Sequence, residues 1–167
     1  METTSTFVEI ISQLGPFLAL TGAIMCAILG GIGSSLGVLA TGTIGAGVAT
    51  ERPDAFGKIL VLEALPGSQA IYGLIGTFLV LNFFKVESLT PLQGWQILLA
   101  CMPLAITALF SAIYQGRVAV AGMNIIAKNP ANAGQAIVLA AIVETFAILG
   151  LLSTFLILSN IKDAIAG

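Results

Sequence analysis

A chain of 167 residues that is 57% hydrophobic and only 8% charged, with a mean hydropathy of +1.06, carries about a third of the charge of an ordinary soluble domain. That much polar surface cannot cover a water-soluble body, which excludes a soluble enzyme, a disordered segment and a nucleic-acid binder. The net charge of −2 comes without a block of either sign and says nothing about partners.

The N-terminus, METTSTFVEII, carries Glu2 and Glu9 and no Lys or Arg. A secretory signal needs a positive leading segment, so the first hydrophobic run is expected to be retained. Residues 10 to 50 contain no charge, more than the roughly 20 apolar residues one crossing needs, which predicts an extended first helix. Glu51, Arg52, Pro53 and Asp54, followed by Gly57, predict a polar turn. A second helix is predicted from Ile59 to Phe84, interrupted in charge only by Glu63, and residues 85–94 form a connection. The third runs from about Trp95 to Ala127 with Arg117 inside it. Lys128 to Asn132 make a second polar turn, and the fourth helix runs from Gln135 to about Ile161. The fold class is therefore an all-α membrane protein of four transmembrane helices in two tandem hairpins, 1–84 and 95–167.

Arg52, Lys58 and Lys128 sit at the two polar turns, whereas the other end has only Lys85 and Lys162. By the positive-inside rule the loops near 49–58 and 128–135 are cytoplasmic and both termini are not. Histidine is absent. Cys26 and Cys101 stand singly in apolar runs and read as packing residues.

Laid over itself with Pro53 on Pro130, the sequence repeats: over 53–82 there are 13 identities in 30 positions without a gap, among them Gly73 with Gly150. Shared apolar composition alone would give far fewer. Each repeat is a hairpin, so both have the same orientation in the membrane, unlike the inverted repeats of many transporters. A parallel duplication suits a unit repeated laterally, as in a ring. In the first helix Ala19, Ala23, Ala27, Gly31 and Ser35 recur every fourth residue, with Gly30, Gly33 and Gly37 beside them. Such small residues serve close packing within one chain or crowding around a narrow ring, and the spacing does not separate the two.

Glu144 is the deepest ionisable group, with no charged neighbour between Asn129 and Ile161. At mid-membrane it costs at least about 2.5–3.5 kcal/mol and calls for a partner, a cation or a proton. Leu65, Ser68, Gln69 and Tyr72 share one face of the second helix at i, i+3, i+4, i+7. Pro66 cannot donate to the carbonyl of Leu62, which loosens the backbone at Pro66-Gly67 and frees oxygens for a ligand. In the self-alignment Glu144 falls on Gly67, and Thr145 on Ser68. Gln115 precedes Pro130 by almost the same stretch of chain as Glu144 follows it, giving both the same depth on antiparallel helices. One carboxylate among hydroxyl, amide and carbonyl oxygens suits a hard cation. A monovalent ion neutralises it, so Na⁺ or H⁺ is favoured over a divalent ion.

The segments LPGSQAIY (65–72), SAIYQGRV (111–118) and VETFAILG (143–150) resemble the membrane rotor subunit of V-type ATPases. The likeness is to its duplicated, proteolipid form in bacterial sodium-pumping enzymes, and it covers essentially the whole chain. It implies a non-catalytic subunit of a homo-oligomeric ring in the bacterial cell membrane, turned by ATP hydrolysis through a central-stalk subunit. It also implies membrane lipid around the ring and a stator subunit that supplies an Arg. By the same resemblance the Leu65 carbonyl, Ser68, Gln69, Gln115 and Glu144 hold Na⁺, and Tyr72 hydrogen-bonds Glu144. Pro66, Gly67 and Thr145 support the site, and Ser68 stands where some relatives have Thr. The alternatives are the same rotor coupled to H⁺ and a four-helix proton-coupled exporter. The polar liganding face favours sodium, and the low aromatic content, 7%, disfavours an exporter of organic cations. Glu63 departs from a turn usually uncharged in the family; its depth matches that of Arg117 to within about one turn, which predicts a cytoplasmic-side pair.

Overall fold

A computed structural model describes the backbone of residues 2–166 and the side chains of residues 14–165. The side chains of Glu2 and Glu9, on which the N-terminal expectation rests, lie outside the described residues. The helices are α1 (Glu2–Glu51), α2 (Phe56–Ala64), α3 (Ser68–Phe83), α4 (Pro91–Lys128) and α5 (Ala133–Ala166). A single 3₁₀ turn, Leu65–Gly67, joins α2 to α3, so the two make one crossing. Among the described residues four segments are long and apolar enough to span a membrane: Leu14–Glu51, Pro53–Phe83, Pro91–Lys128 and Pro130–Ile165.

The connections are tighter than the charge pattern predicts. At the first turn only Arg52 and a 3₁₀ turn, Pro53–Ala55, separate α1 from α2, so residues 49–51 and 56–58 are helical. Asn129 and the 3₁₀ turn Pro130–Asn132 make the second turn, and residues 133–135 already belong to α5. In the connection expected over 85–94, α4 starts at Pro91. The reason is a capping box: the Gln93 amide donates to the Thr90 hydroxyl (3.4 Å) and the Thr90 amide to the Gln93 side-chain oxygen (2.8 Å). Pro91 at the first helical position loses nothing, because its missing N–H would have had no helical partner.

The crossings form two layers. α1 lies beside α4, running in the same direction, while α3 packs on α1, α5 on α4, and α3 also meets α5. Glycine sets the α1–α4 seam. A Cβ on Gly33 would sit 2.6 Å from the Leu109 carbonyl oxygen, and one on Gly37 would sit 2.6 Å from that of Ala112. The four-residue stripe of α1 divides accordingly. Ala19 and Ala23 are buried within the chain, whereas Gly31 has no neighbour within 4 Å of an added Cβ and Ser35 is exposed.

Two apolar clusters fill the interior. One, with Cys26, Val80, Ile97, Cys101 and Leu104, lies toward the α3–α4 connection; the other, with Ile59, Leu62, Met123 and Ile126, lies toward the two polar turns. Both cysteines are free and fully buried, and the Cys26 thiol faces the Cys101 carbonyl at 3.5 Å. Two fully buried glutamines, Gln69 and Gln115, lie between the clusters. The polar turns are tied to each other: Arg52 donates to the Ala127 carbonyl (3.2 Å) and Lys58 to that of Pro130 (3.1 Å).

Candidate ion-binding site

The 3₁₀ turn at Leu65–Gly67 contains Pro66 and leads directly into α3, which is tied to α1 near its start. The Ala70 amide donates across to the Ser34 hydroxyl of α1 at 2.9 Å. Gly30 lets α1 approach this stretch, since a Cβ there would lie 2.6 Å from the Gln69 carbonyl oxygen. α1 therefore grips the backbone of residues 66–73 from behind and leaves the opposite face of α3 to α4 and α5.

On that face the polar groups form one continuous network. Tyr72 donates its phenolic proton to one carboxylate oxygen of Glu144 at 2.5 Å, and Gln115 donates to the other at 3.4 Å. The Gln115 amide nitrogen also reaches the Ala140 carbonyl (3.2 Å), while its oxygen accepts from Gln69 at 2.7 Å. Ser68 donates to the Leu65 carbonyl (3.0 Å) and the Gln69 oxygen (3.3 Å). Among the described residues no buried side-chain nitrogen or oxygen is left without a partner. The layer is polar, internally satisfied and flanked by apolar clusters, the condition under which a carboxylate is tolerable inside lipid.

Leu65, Ser68, Gln69, Tyr72, Gln115 and Glu144 are thus brought together as the sequence spacing predicts, with Pro66 and Gly67 forming the turn beneath them. Thr145 is not among them. It is exposed, and its hydroxyl is used by its own helix, donating to the Ile142 carbonyl at 2.7 Å. Ser111 is a member that sequence reasoning missed. It is buried one helical turn before Gln115, accepts from the Gln69 amide (3.3 Å) and donates to the Val143 carbonyl (2.9 Å). Its i, i+4 spacing to Gln115 puts it on the same face of α4, but that spacing does not mark its hydroxyl as reaching another helix.

Glu63 and Arg117 do not make the expected pair. Among the described residues the only ion pair is Arg52 with Asp54, at 3.1 Å. Matching depth was not enough, because the two side chains leave their helices in different directions. The Glu63 carboxylate lies against Gly42 of α1, 2.6 Å from where a Cβ there would stand. Arg117 is exposed and its guanidinium lies over the Tyr114 ring, 5.4 Å from the centroid.

Residues 21–80 and 98–157 each match the family of the ATP synthase C subunit. The chain belongs to that family. The second matched stretch is the repeat counterpart of the first, residue 98 falling on residue 21 when Pro130 is laid on Pro53. The chain is similar to the V-type sodium ATPase subunit K of Enterococcus hirae, with 43% identity over 87% of this chain and 93% of that one. It is also similar to the A-type ATP synthase subunit K of Methanocaldococcus jannaschii, with 37% identity over 90% of this chain and 66% of the relative. This member of the C-subunit family is accordingly an integral membrane protein and a rotor-ring subunit that assembles with copies of itself. It takes no part in bond chemistry.

Proposed function

We propose that this chain carries Na⁺ across the membrane as the rotor of a V-type ATPase, one ion per subunit, held by the Leu65 carbonyl, Ser68, Gln69, Gln115 and Glu144. The observation that carries the reading is the single carboxylate of Glu144 set within one hydrogen-bonded layer of carbonyl, hydroxyl and carboxamide oxygens. A proton needs one acceptor; five oxygens from four side chains and a main-chain carbonyl suit a small hard cation. The similarity to a subunit named for sodium supports the same choice. Tyr72 orients the carboxylate and, with Gln115, supplies donors to both of its oxygens.

With Na⁺ bound the site is neutral and travels through lipid as the ring turns. Where the ring meets a stator subunit, an Arg there opposes the carboxylate, releases the ion and gives the emptied site access to water. The two turns bearing Arg52, Lys58 and Lys128 face the cytoplasm of a bacterial cell and a central-stalk subunit that transmits torque; both termini face the other side.

Carbodiimide labelling of Glu144 at alkaline pH tests this. Na⁺ is expected to protect the carboxylate in a concentration-dependent way, and Glu144→Gln is expected to abolish ²²Na⁺ binding. Labelling indifferent to high Na⁺ would assign the rotor to protons.

A further inference from the structure

At the end of the molecule away from the polar turns, the termini of α3, α4 and α5 leave a cavity of about 480 Å³, bordered by Phe83, Phe84, Lys85, Thr90, Gln93 and Lys162. We propose that it binds the phosphodiester headgroup of an anionic phospholipid, with Lys85 and Lys162 as a two-pronged clamp and the aromatic wall against the start of the acyl chains. Only membrane insertion is needed for this; neither the ion carried nor the side of the membrane that this end faces enters it.

The two lysines are the same residue of the duplicated hairpin. With Pro53 laid on Pro130, Lys85 falls on Lys162, although the residues around them have diverged: Phe83 against Asn160, Phe84 against Ile161 and Val86 against Asp163. Each hairpin thus ends its second crossing in a lysine while the neighbouring positions change. No other Lys or Arg lies at this end. A cation at the C-terminal end of a helix offsets the macrodipole, but it does so at any azimuth. Here both turn to one cavity.

Neither lysine is spent on an acid. Among the described residues the only ion pair is Arg52 with Asp54, so neither Glu87 nor Asp163 pairs with them. Glu87 lines a different cavity, which Lys85 also borders, with Pro16 and Leu20 of α1. The Lys162 ammonium lies over the Phe83 ring, 4.8 Å from its centroid, and that ring packs against Phe84 and Phe155. Gln93 gives its side-chain oxygen to the Thr90 amide, which leaves its amide nitrogen as a third donor for the cavity. Phe84 and Leu89 in the wall are buried. Two cations and an amide donor beside an apolar wall match a phosphate oxyanion that carries acyl chains. A soluble anion would use the donors and leave the aromatic wall idle.

Depth puts the cavity at the headgroups. Gln115 and Glu144 are in contact and level. Lys162 lies 18 residues beyond Glu144 and Trp95 lies 20 residues before Gln115, about 27 and 30 Å along antiparallel helices. With the carboxylate near mid-membrane, both lie outside the hydrocarbon, whose half-thickness is about 15 Å. Lysine stems lean back from there toward the headgroups. Trp95, the only tryptophan, is 50% exposed at this level, where tryptophan is enriched in membrane proteins. In a ring the lysine pair recurs on every copy, so the rotor carries a belt of anionic lipid at one headgroup layer.

Photolabelling of the full-length, assembled protein in phosphatidylcholine vesicles tests this, with a phosphatidylglycerol that carries a diazirine in its headgroup as the probe. Adducts are expected on residues 83–93 and 158–165, and excess unlabelled phosphatidylglycerol should suppress them where equal phosphatidylcholine or inorganic phosphate does not. Lys85→Gln and Lys162→Gln should each raise the half-saturating probe concentration roughly fivefold, whereas Lys85→Arg with Lys162→Arg, which keeps both charges, should leave it near wild type. Equal competition by phosphatidylcholine would make the cavity an unselective lipid contact. Displacement by inorganic phosphate alone would make it a site for soluble anions, and labelling indifferent to both lysines would remove them from it. Each of these results overturns the inference. Should the glutamine variants fail to assemble, competition on the wild type and loss of its labelling at high salt decide the matter. Loss of Na⁺ protection at Glu144 with this labelling intact would instead overturn the proposed ion.

Discussion

A carboxylate inside lipid is only as useful as the groups that fix its orientation, and for Glu144 the shortest contact is the Tyr72 phenol. A hydrogen bond to a charged group contributes about 1.5–3 kcal/mol, so Tyr72→Phe is expected to weaken ²²Na⁺ binding by roughly tenfold to a hundredfold while the ring stays assembled. An unchanged affinity would mean that the ion, not the phenol, orients the carboxylate. The site residues on α3, α4 and α5 were legible because helical arithmetic fixes both depth and face: nearly equal stretches of chain on either side of Pro130 place Gln115 and Glu144 level. Three things were not legible at this scale. A serine in a helix ordinarily bonds its own preceding turn, so no local pattern marks Ser111 or Ser34 as reaching across to another helix. Thr145, the repeat image of Ser68, keeps that ordinary habit. Glu63 and Arg117 share a depth, but depth carries no information about azimuth, and one faces α1 while the other faces outward.

Among the elements, α1 contributes none of the proposed ligands and yet braces the candidate site. Ser34 accepts the Ala70 amide, Thr77 donates to the Ala23 carbonyl at 2.7 Å, and Gly30 admits the Gln69 carbonyl. Ser34→Ala would remove the cross-helix partner of the half-buried Ala70 amide at the start of α3, a loss of about 0.5–1.5 kcal/mol for one hydrogen bond. Thermal unfolding in detergent should show a lowered Tm, and Ser34→Thr, which restores the hydroxyl, should recover part of it. The seam with α4 yields a paired expectation. Gly37→Ala puts a methyl group 2.6 Å from both the Ala112 carbonyl oxygen and the Pro66 Cβ, neither of which is a flexible tip, and overpacking of this kind costs about 1–3 kcal/mol. Gly47 meets nothing within 4 Å, so Gly47→Ala should leave Tm unchanged or raise it through better helix propensity. Equal losses from both would mean that glycine matters here for reasons other than the seam. The existence and order of the helices could be read from gaps between charges, since lipid leaves few other solutions. Which small residues face inward could not: the stripe from Ala19 to Ser35 looks uniform in sequence but winds from the buried interior to the exposed face along a helix held against α4 by a different set of glycines.

For the whole molecule, the decisive feature is a duplication whose halves have diverged at a few positions. Where the second half has Glu144 the first has Gly67, and nothing in the backbone demands glycine there. Its φ of −80° and ψ of −21° suit any residue, and an added Cβ would meet only a Val38 methyl at 3.8 Å. Glycine at this position is therefore imposed neither by backbone conformation nor by crowding at its Cβ. On the proposed reading it sets the gearing of the motor. Work per ion is torque multiplied by the arc turned between one carboxylate and the next, and with a carboxylate in only one hairpin of each pair that arc is doubled. For a given torque each ion can be pushed against a steeper electrochemical slope, at the expense of fewer ions per revolution. The rotor is built in low gear, suited to expelling ions against a large gradient rather than to harvesting a small one.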